Sequence, residues 1–135
     1  MGERSDAVNL AAIRIKCAEI VGWTSIENLT TGLRGKPPNN SPFCTVPTYV
    51  SSADAALQLV EWMRKPENGK HTWSAATSNQ HGVPCIAFAF CREIMHKDPN
   101  VQPFSSLYFT GNADTFALAV CLAFLKANNI EPETL

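Results

Sequence analysis

The longest apolar run of the chain lies near its C-terminal end. Residues 116–125 carry no polar side chain except the thiol of Cys121. At about 1.5 Å per residue, a helix over this run spans about half of the ~30 Å core of a membrane, so the run predicts a buried helix. Asn112 is its expected N-cap, and Asp114 is expected in the first turn. Because the run is apolar on every side, this helix needs cover on more than one side.

Two more helices are predicted upstream. Apolar residues recur at helical spacing from Asp6 onward; Gly22 is the expected left-handed cap, and Trp23 is expected in the core. Residues 51–54 resemble a capping box at the N-terminus of a further helix. That helix is expected to end before Pro66. The side chains that this helix is expected to bury are Ala56, Leu59, Val60 and Met63.

Alternating side chains predict three strands in the second half of the chain, over residues 71–77, 85–91 and 106–110. A hairpin-like turn is expected at residues 78–82. In the central strand, large apolar side chains on one face alternate with alanines and cysteines on the other, so both faces require cover. The short connections favour antiparallel pairing.

The connections between these elements are rich in glycine and proline. Residues 24–48 are predicted to form a long irregular loop, and loops of this length are more often functional than idle. Residues 95–103 are a second predicted loop, and Gly111 with Asn112 is expected to turn the chain into the final helix.

Together these elements predict one α+β domain over residues 1–135. Its expected architecture is an α/β/α layered sandwich, in which a small antiparallel sheet of about three to four strands is flanked by three helices, with helices on both faces. Residues 1–5 and 131–135 are expected to be flexible.

Composition narrows the possible functions. The chain is 45% hydrophobic and 17% charged, with a net charge of −1, which argues against a protein that holds duplex nucleic acid by neutralising phosphates. No apolar signal-peptide core follows a basic start, so a cytoplasmic location is expected. Five cysteines, an odd number, favour free thiols over a disulfide framework.

The sequence shows no arrangement typical of a metal centre or of an enzyme. No close pair of cysteines or histidines is present, and so no metal is expected. Cys44 is the one thiol outside the predicted buried elements and is the candidate for a Cys–His nucleophilic pair, although an inert thiol is the favoured interpretation. The acidic residues are scattered, and so we expect neither catalysis nor a cofactor.

Aromatic and basic residues in or beside the predicted loops favour binding. Planar rings and cations suit a ligand that carries a base and a phosphate, through stacking and charge-assisted hydrogen bonds. The alternatives are that the rings lie at the rim of the core and that the basic residues form a solvated turn. The candidate ligand-binding residues are Arg34, Lys36, Tyr49, Trp73 and His81.

Three stretches together carry a family resemblance: residues 18–23 (AEIVGW), residues 46–61 (VPTYVSSADAALQLVE) and residues 113–127 (ADTFALAVCLAFLKA). Their order and spacing resemble those of the phage ABA sandwich domain family. Its members tend to show a helix ending in Gly-Trp, a Pro-x-Tyr-Ser segment before an Ala-Ala helix, and a closing Ala-Asp-Thr helix. Val50 departs from the family, which often has Ser at this position. The resemblance implies a layered α/β/α fold and a phage or prophage origin, and it brings no catalytic residues.

The resemblance also implies a function, by analogy with small phage proteins that counter host defences. The leading hypothesis is a non-enzymatic, homo-oligomeric protein that sequesters a nucleotide-like bacterial immune signal, of the cyclic-nucleotide or ADP-ribose type, in the cytoplasm of a bacterial host. The alternative is an inhibitor or accessory phage protein that docks on a host or phage protein and holds no small molecule. An RNA or DNA binder is disfavoured, because the final helix lacks the lysine cluster of double-stranded-RNA-binding domains. No membrane partner is expected.

Overall fold

The computed structural model describes residues 9–39, 41–80, 82–95, 100 and 104–135. It is an α+β fold in which small antiparallel sheets are flanked by helices, and this confirms the predicted fold class. The N-terminal residues predicted to be flexible lie outside the described residues. The helices are α1 (Leu10–Val21), α2 (Ala53–Arg64) and α3 (Phe116–Ala127), and the strands are β1 (Thr24–Leu29), β2 (Gly32–Lys36), β3 (Cys44–Thr45), β4 (Thr72–Gln80), β5 (Val83–Met95) and β6 (Phe104–Ala113).

The first two helices have the boundaries that their capping residues dictate. The Asn9 side chain accepts a hydrogen bond from the Ala12 N–H at 3.1 Å, and Gly22 ends α1 with a φ of 112°. The Ser52 hydroxyl accepts from the Ala55 N–H at 3.3 Å and so begins α2. The predicted glycine cap is confirmed, and so are the burial of Trp23 and of the four α2 side chains expected in the core.

A small sheet occupies the region predicted to be an irregular loop, so that prediction is wrong. Strands β1, β2 and β3 pair antiparallel in that order, with a bulge between Thr24 and Glu27. The prolines do not prevent this pairing, because all of them follow Lys36, where β2 ends. Gly32, at a φ of 114°, supplies the left-handed backbone of the tight turn between β1 and β2.

The second sheet pairs β4, β5 and β6 in antiparallel order, as predicted. Its strands are longer than the sequence indicated, and the central strand continues to Met95. Gly111 and Asn112 were expected in a turn, but they belong to β6, where Gly111 pairs with Phe88. The prediction of a turn at these two residues is wrong. A glycine is required at position 111 because α3 lies so close to β6 there that a side chain would not fit.

Helix α3 is the buried helix that the apolar run predicts. Its N-cap is Thr115, whose hydroxyl accepts from the Leu118 N–H at 3.3 Å, so the prediction of Asn112 as the cap is wrong. Asp114 consequently precedes the helix and does not lie in its first turn. The helix can lie close on β6 because Gly111 has no side chain: a β-carbon there would stand 2.7 Å from the backbone nitrogen of Ala123.

The helices leave one face of the second sheet partly exposed. α3 lies on the face that carries Phe88 and Phe90, while α2 and α1 pack on α3. On the other face the described side chains are half-buried or exposed. Helices were predicted on both faces of the sheet, but they cover this second face at none of its described residues. We call this surface the open face. Its described side chains are Thr72, Ser74, Ala76, Val83, Cys85, Ala87, Ala89, Cys91, Glu93, Met95, Ser106, Tyr108, Thr110 and Asn112.

The chain ends in a short 3₁₀ turn over Pro132–Thr134, in which Pro132 is buried. The carbonyl of Glu131 accepts from both the backbone N–H of Thr134, at 3.0 Å, and its hydroxyl, at 2.7 Å. Residues 131–135, which were expected to be flexible, form a hydrogen-bonded turn that contacts α3.

Candidate functional site

A groove of about 490 Å³ lies between α2 and the segment that follows β2. One wall is a single stripe of α2, since its residues recur every three or four positions along the helix. We call this cavity the tryptophan groove. Its helix wall consists of Asp54, Leu57, Gln58, Leu59, Glu61, Trp62 and Lys65, and its remaining lining consists of Val21, Trp23, Pro37, Pro38, Asn39 and Tyr49.

The glycine that caps α1 also positions the wall opposite α2. A β-carbon on Gly22 would lie 2.9 Å from the β-carbon of Pro38, and the φ of 112° is one that other residues rarely adopt. Gly22 therefore meets two requirements at once, a left-handed cap and a close contact with the proline segment. Pro37, which is buried, anchors the same segment.

Tyr49 and Trp23 form the floor of the groove. Tyr49 is almost fully buried, and the Trp23 side chain lies beside it. Burial, followed by the nearby Cys17 thiol, raises the pKa of Tyr49 to about 12, and the Trp23 side chain opposes this shift. The phenol is therefore neutral at physiological pH, and it gives the floor a fixed polar point rather than a charge.

Arg14 attaches the tyrosine segment to α1. Its Nε donates to the carbonyl of Pro47 at 3.0 Å, and its NH2 group donates to the carbonyl of Val46. Burial lowers the pKa of Arg14 from its ordinary value, and the proximity of Tyr49 opposes that shift. Two charge-assisted hydrogen bonds thus hold the backbone that carries Tyr49.

The polar groups of the groove favour a ligand with N–H or O–H donors. The lining includes two carboxylates, Asp54 and Glu61, and one cation, Lys65, and the Glu61 carboxylate accepts a hydrogen bond from Arg64 at 3.1 Å. The amides of Gln58 and Asn39 can donate and accept. Between the two indoles, these groups suit a planar, nitrogen-rich ring better than a ligand dominated by phosphates.

The structure does not bring the predicted ligand-binding residues together. Tyr49 lines the tryptophan groove. Arg34 lies on β2, with its guanidinium carbon 5.7 Å from the centre of the Phe43 ring, and Lys36 is exposed at the end of that strand. Trp73 belongs to the other sheet. His81 lies outside the described residues.

The remaining candidate, Trp73, has a packing role that the sequence left open. Its ring stacks on Phe88 with centroids 5.4 Å apart, and it meets Phe116 edge-on at 6.5 Å, while 43% of the residue stays exposed. It therefore extends the aromatic core to the surface at the edge strand.

Sequence reasoning missed Trp62 and the segment of Pro37 to Asn39. One signal for the helix wall was available: Leu57 and Trp62 are large apolar residues that fall outside the predicted buried stripe of α2. No sequence signal placed the proline segment opposite them, because that depends on the unrecognised first sheet.

A second cavity, of about 400 Å³, lies beyond the C-terminal end of α2. His71 is the buried polar residue within it; its Nδ1 lies 3.3 Å from the carbonyl of Met63. Burial lowers the pKa of His71, and the nearby positive charge of Arg92 adds to this effect. We call this the histidine cavity. Its lining residues are Trp62, Met63, Pro66, Glu67, Asn68, Gly69, His71, Arg92, Ala127 and Asn128.

Two thiols lie at the contact between α1 and α3. Cys17 and Cys121 are fully buried, and a hydrogen bond between them, together with burial, raises the pKa of Cys17. The described residues include all five cysteines, and no two of them form a disulfide. Buried thiols of this kind are poor nucleophiles, since the thiolate is the reactive form.

The described residues contain no group of three or more His, Cys, Asp and Glu side chains that could hold a metal ion. Within the same residues, no helix has the length and hydropathy required to cross a membrane. Comparison with protein-family models, curated proteins and solved structures finds no match for this chain. The resemblance to the phage ABA sandwich family therefore stays a prediction.

Proposed function

We propose that this protein is a non-enzymatic binding protein that holds a small nucleotide-like ligand in the tryptophan groove. The observation that carries the proposal is the groove itself: about 490 Å³, bordered by Trp23 and Trp62, with polar groups at its edge. This volume falls within the range of about 300–1,000 Å³ typical of small-molecule sites. The indoles contact the base, Asp54 and Gln58 bind its N–H groups, and Lys65 contacts a phosphate.

The balance of charge defines the class of ligand further. With two carboxylates and one lysine, the groove favours a ligand whose base and ribose carry most of the contacts and whose negative charge is low. A cyclic mononucleotide, with a single phosphodiester charge, meets this description best, whereas a cyclic dinucleotide or a cyclic form of ADP-ribose carries two ionised phosphate groups. Sequestration of such a signal during phage infection is the role that the analogy with small phage counter-defence proteins supports.

Calorimetry and native mass spectrometry against a panel of cyclic nucleotides and ADP-ribose cyclic isomers test the proposal. We expect one ligand class to bind, and Gln58→Ala and Asp54→Asn to weaken its binding by about tenfold each, the effect of losing one well-placed hydrogen bond. Both residues are exposed on α2, so neither substitution removes core packing.

Two control variants make the result specific to the groove. Arg34→Ala and Trp73→Phe change residues that lie outside it, and the second keeps an aromatic ring against Phe88, so both should leave the affinity unchanged. If these variants abolish binding while Gln58→Ala does not, the ligand lies elsewhere and the groove assignment is wrong. A ligand that is recovered cleaved after denaturation of the complex would show an enzyme and would overturn sequestration.

One observation favours a second candidate function, an inhibitor that binds a protein. β4 is an edge strand of nine residues without a charge, a proline or a break in its register with β5, and residues 72–77 are all exposed. Such an edge can accept a strand from a partner. Failure of every small ligand, together with capture of a defined host or phage protein that a Ser74→Pro variant no longer binds, would favour this alternative.

A further inference from the structure

The open face of the second sheet carries the most exposed large apolar side chains of the described chain. Met95 is 70% exposed, Tyr108 67% and Val83 56%, and all three belong to this face. Elsewhere among the described residues, exposed large apolar side chains reach 48% at most. Isolated apolar residues on a surface need no explanation, but these three all stand on the same sheet face, along β5 and β6, which indicates a contact surface.

The shape of the open face suits a flat partner. Along β5 its central residues are Ala87 and Ala89, which are small, and the larger Val83 and Met95 stand at the two ends. The neighbouring strand β4 adds three more small side chains to the same face, Thr72, Ser74 and Ala76. Another sheet can therefore approach closely, as in sheet-on-sheet packing.

The charge on the face identifies the partner. Glu93 is the one charged side chain among the described residues of the open face, so the face offers no cluster of charge to an acidic, basic or nucleic-acid partner. Two copies packed with their strands antiparallel place their Glu93 carboxylates at opposite ends of the contact. Self-association consequently buries the apolar side chains without bringing like charges together.

The area of the face is sufficient for such a contact. Strands of 9, 13 and 10 residues, at about 3.3 Å per residue and about 4.8 Å between strands, present about 500 Å² of flat sheet. Packing two copies then removes about 1,000 Å² from water, the lower bound for a specific interface.

We propose that the open face is the interface of a symmetric dimer, in which the second sheets of two copies pack face to face. The tryptophan groove is lined by α2, the end of α1 and the segment after β2, none of which contributes to the open face. Dimer formation thus leaves both grooves accessible, and the protein carries two ligand sites per dimer.

Analytical ultracentrifugation over a concentration series tests the interface. Wild-type protein should sediment as a species of twice the 14.7 kDa chain mass. Tyr108→Lys and Met95→Lys should each raise the dimer dissociation constant by about tenfold or more, since each places a charge in the apolar contact. Leu29→Lys, at a residue with 42% exposure on the first sheet, is the matched control and should leave the constant unchanged.

The outcomes separate the interface from the ligand site. A wild-type protein that stays monomeric, or a dimer that neither lysine variant weakens, overturns the proposal, and the face then belongs to another partner or to another segment of this chain. Circular dichroism of both variants verifies that they are folded. Ligand affinity in Tyr108→Lys should equal that of the wild type, so loss of the dimer and loss of the groove are measured independently.

Discussion

Gly111 on β6 lies directly against Ala123 on α3: a β-carbon on Gly111 would stand 2.7 Å from the Ala123 backbone nitrogen and would also meet the carbonyl of Ala119. Both of these atoms are backbone, so they cannot move without displacing the helix. The contact explains how a helix that is apolar on every side can bury its first face directly on the sheet.

Gly111→Ala should therefore destabilise the fold by about 1–3 kcal/mol, because the added methyl group overpacks the contact between helix and strand. Urea unfolding monitored by circular dichroism measures this change. Asn28→Ala, at an exposed position of β1 away from the open face, is the control and should change stability by no more than about 0.5 kcal/mol. Equal stability of Gly111→Ala and wild type would show that α3 does not lie on β6 as described.

Arg14→Met should destabilise the protein by about 1–3 kcal/mol, since it removes two charge-assisted hydrogen bonds to the carbonyls of Val46 and Pro47. Because these bonds hold the Tyr49 segment, the variant should also bind the groove ligand more weakly. Lys16→Met on the same helix breaks only a surface ion pair with Glu19, at 3.1 Å, and should be nearly neutral. Thermal unfolding should give a lower melting temperature for Arg14→Met than for Lys16→Met. Similar melting temperatures for the two variants would contradict the role given to Arg14.

His71 should make the protein less stable in mild acid. Its pKa is lowered in the folded state, so as the pH falls through the ordinary histidine value of about 6.5 the unfolded chain takes up the proton first. The contribution of the neutral His71 side chain to the free energy of unfolding is therefore complete above a pH of about 6.5. Below that pH the free energy of unfolding falls, by at most about 1.4 kcal/mol per pH unit. Unfolding free energies measured between neutral and mildly acidic pH should show this slope, and His71→Gln should reduce it. An unchanged slope in that variant would show that His71 titrates normally.

Cysteine reactivity should divide according to burial. Cys17 and Cys121 are inaccessible, and the raised pKa of Cys17 keeps its thiol protonated, so both should resist alkylation by iodoacetamide in the folded protein. Cys44 is half-buried and lies on the first sheet, so it should react first, whereas Cys91, half-buried on the open face, should react more slowly in the dimer. Peptide mass spectrometry after brief labelling distinguishes the sites, and labelling in denaturant provides the reference. Early modification of Cys121 would show that α1 separates readily from α3.

The sequence was most informative where one physical requirement acted alone. The apolar run at residues 116–125 predicted a buried helix because no exposed helix can consist entirely of such residues. Gly22 was recognised as a cap because helices commonly end in a left-handed residue and glycine adopts that conformation without strain. The alternation around Phe88 predicted the central strand, since only a pleated backbone separates large and small side chains in this way.

It was least informative where tertiary contacts override local preference. β1 is exposed along its whole length except at Ile26 and so shows no alternating pattern, and the glycines and prolines that follow it obscured the β1–β2 hairpin. Gly111 indicated a turn by local rules, but its role is the approach of α3, which no local pattern reveals. The candidate site was missed for the same reason: Tyr49 was identified, whereas Trp62 and the proline segment meet only after the first sheet has folded.

Trp62 borders both the tryptophan groove and the histidine cavity, and its ring meets Phe124 of α3 edge-on at 5.7 Å. Trp62 thus contributes to the lining of both cavities while its ring packs on α3. A Trp62→Phe variant should therefore change ligand binding in the tryptophan groove and the surroundings of His71 together.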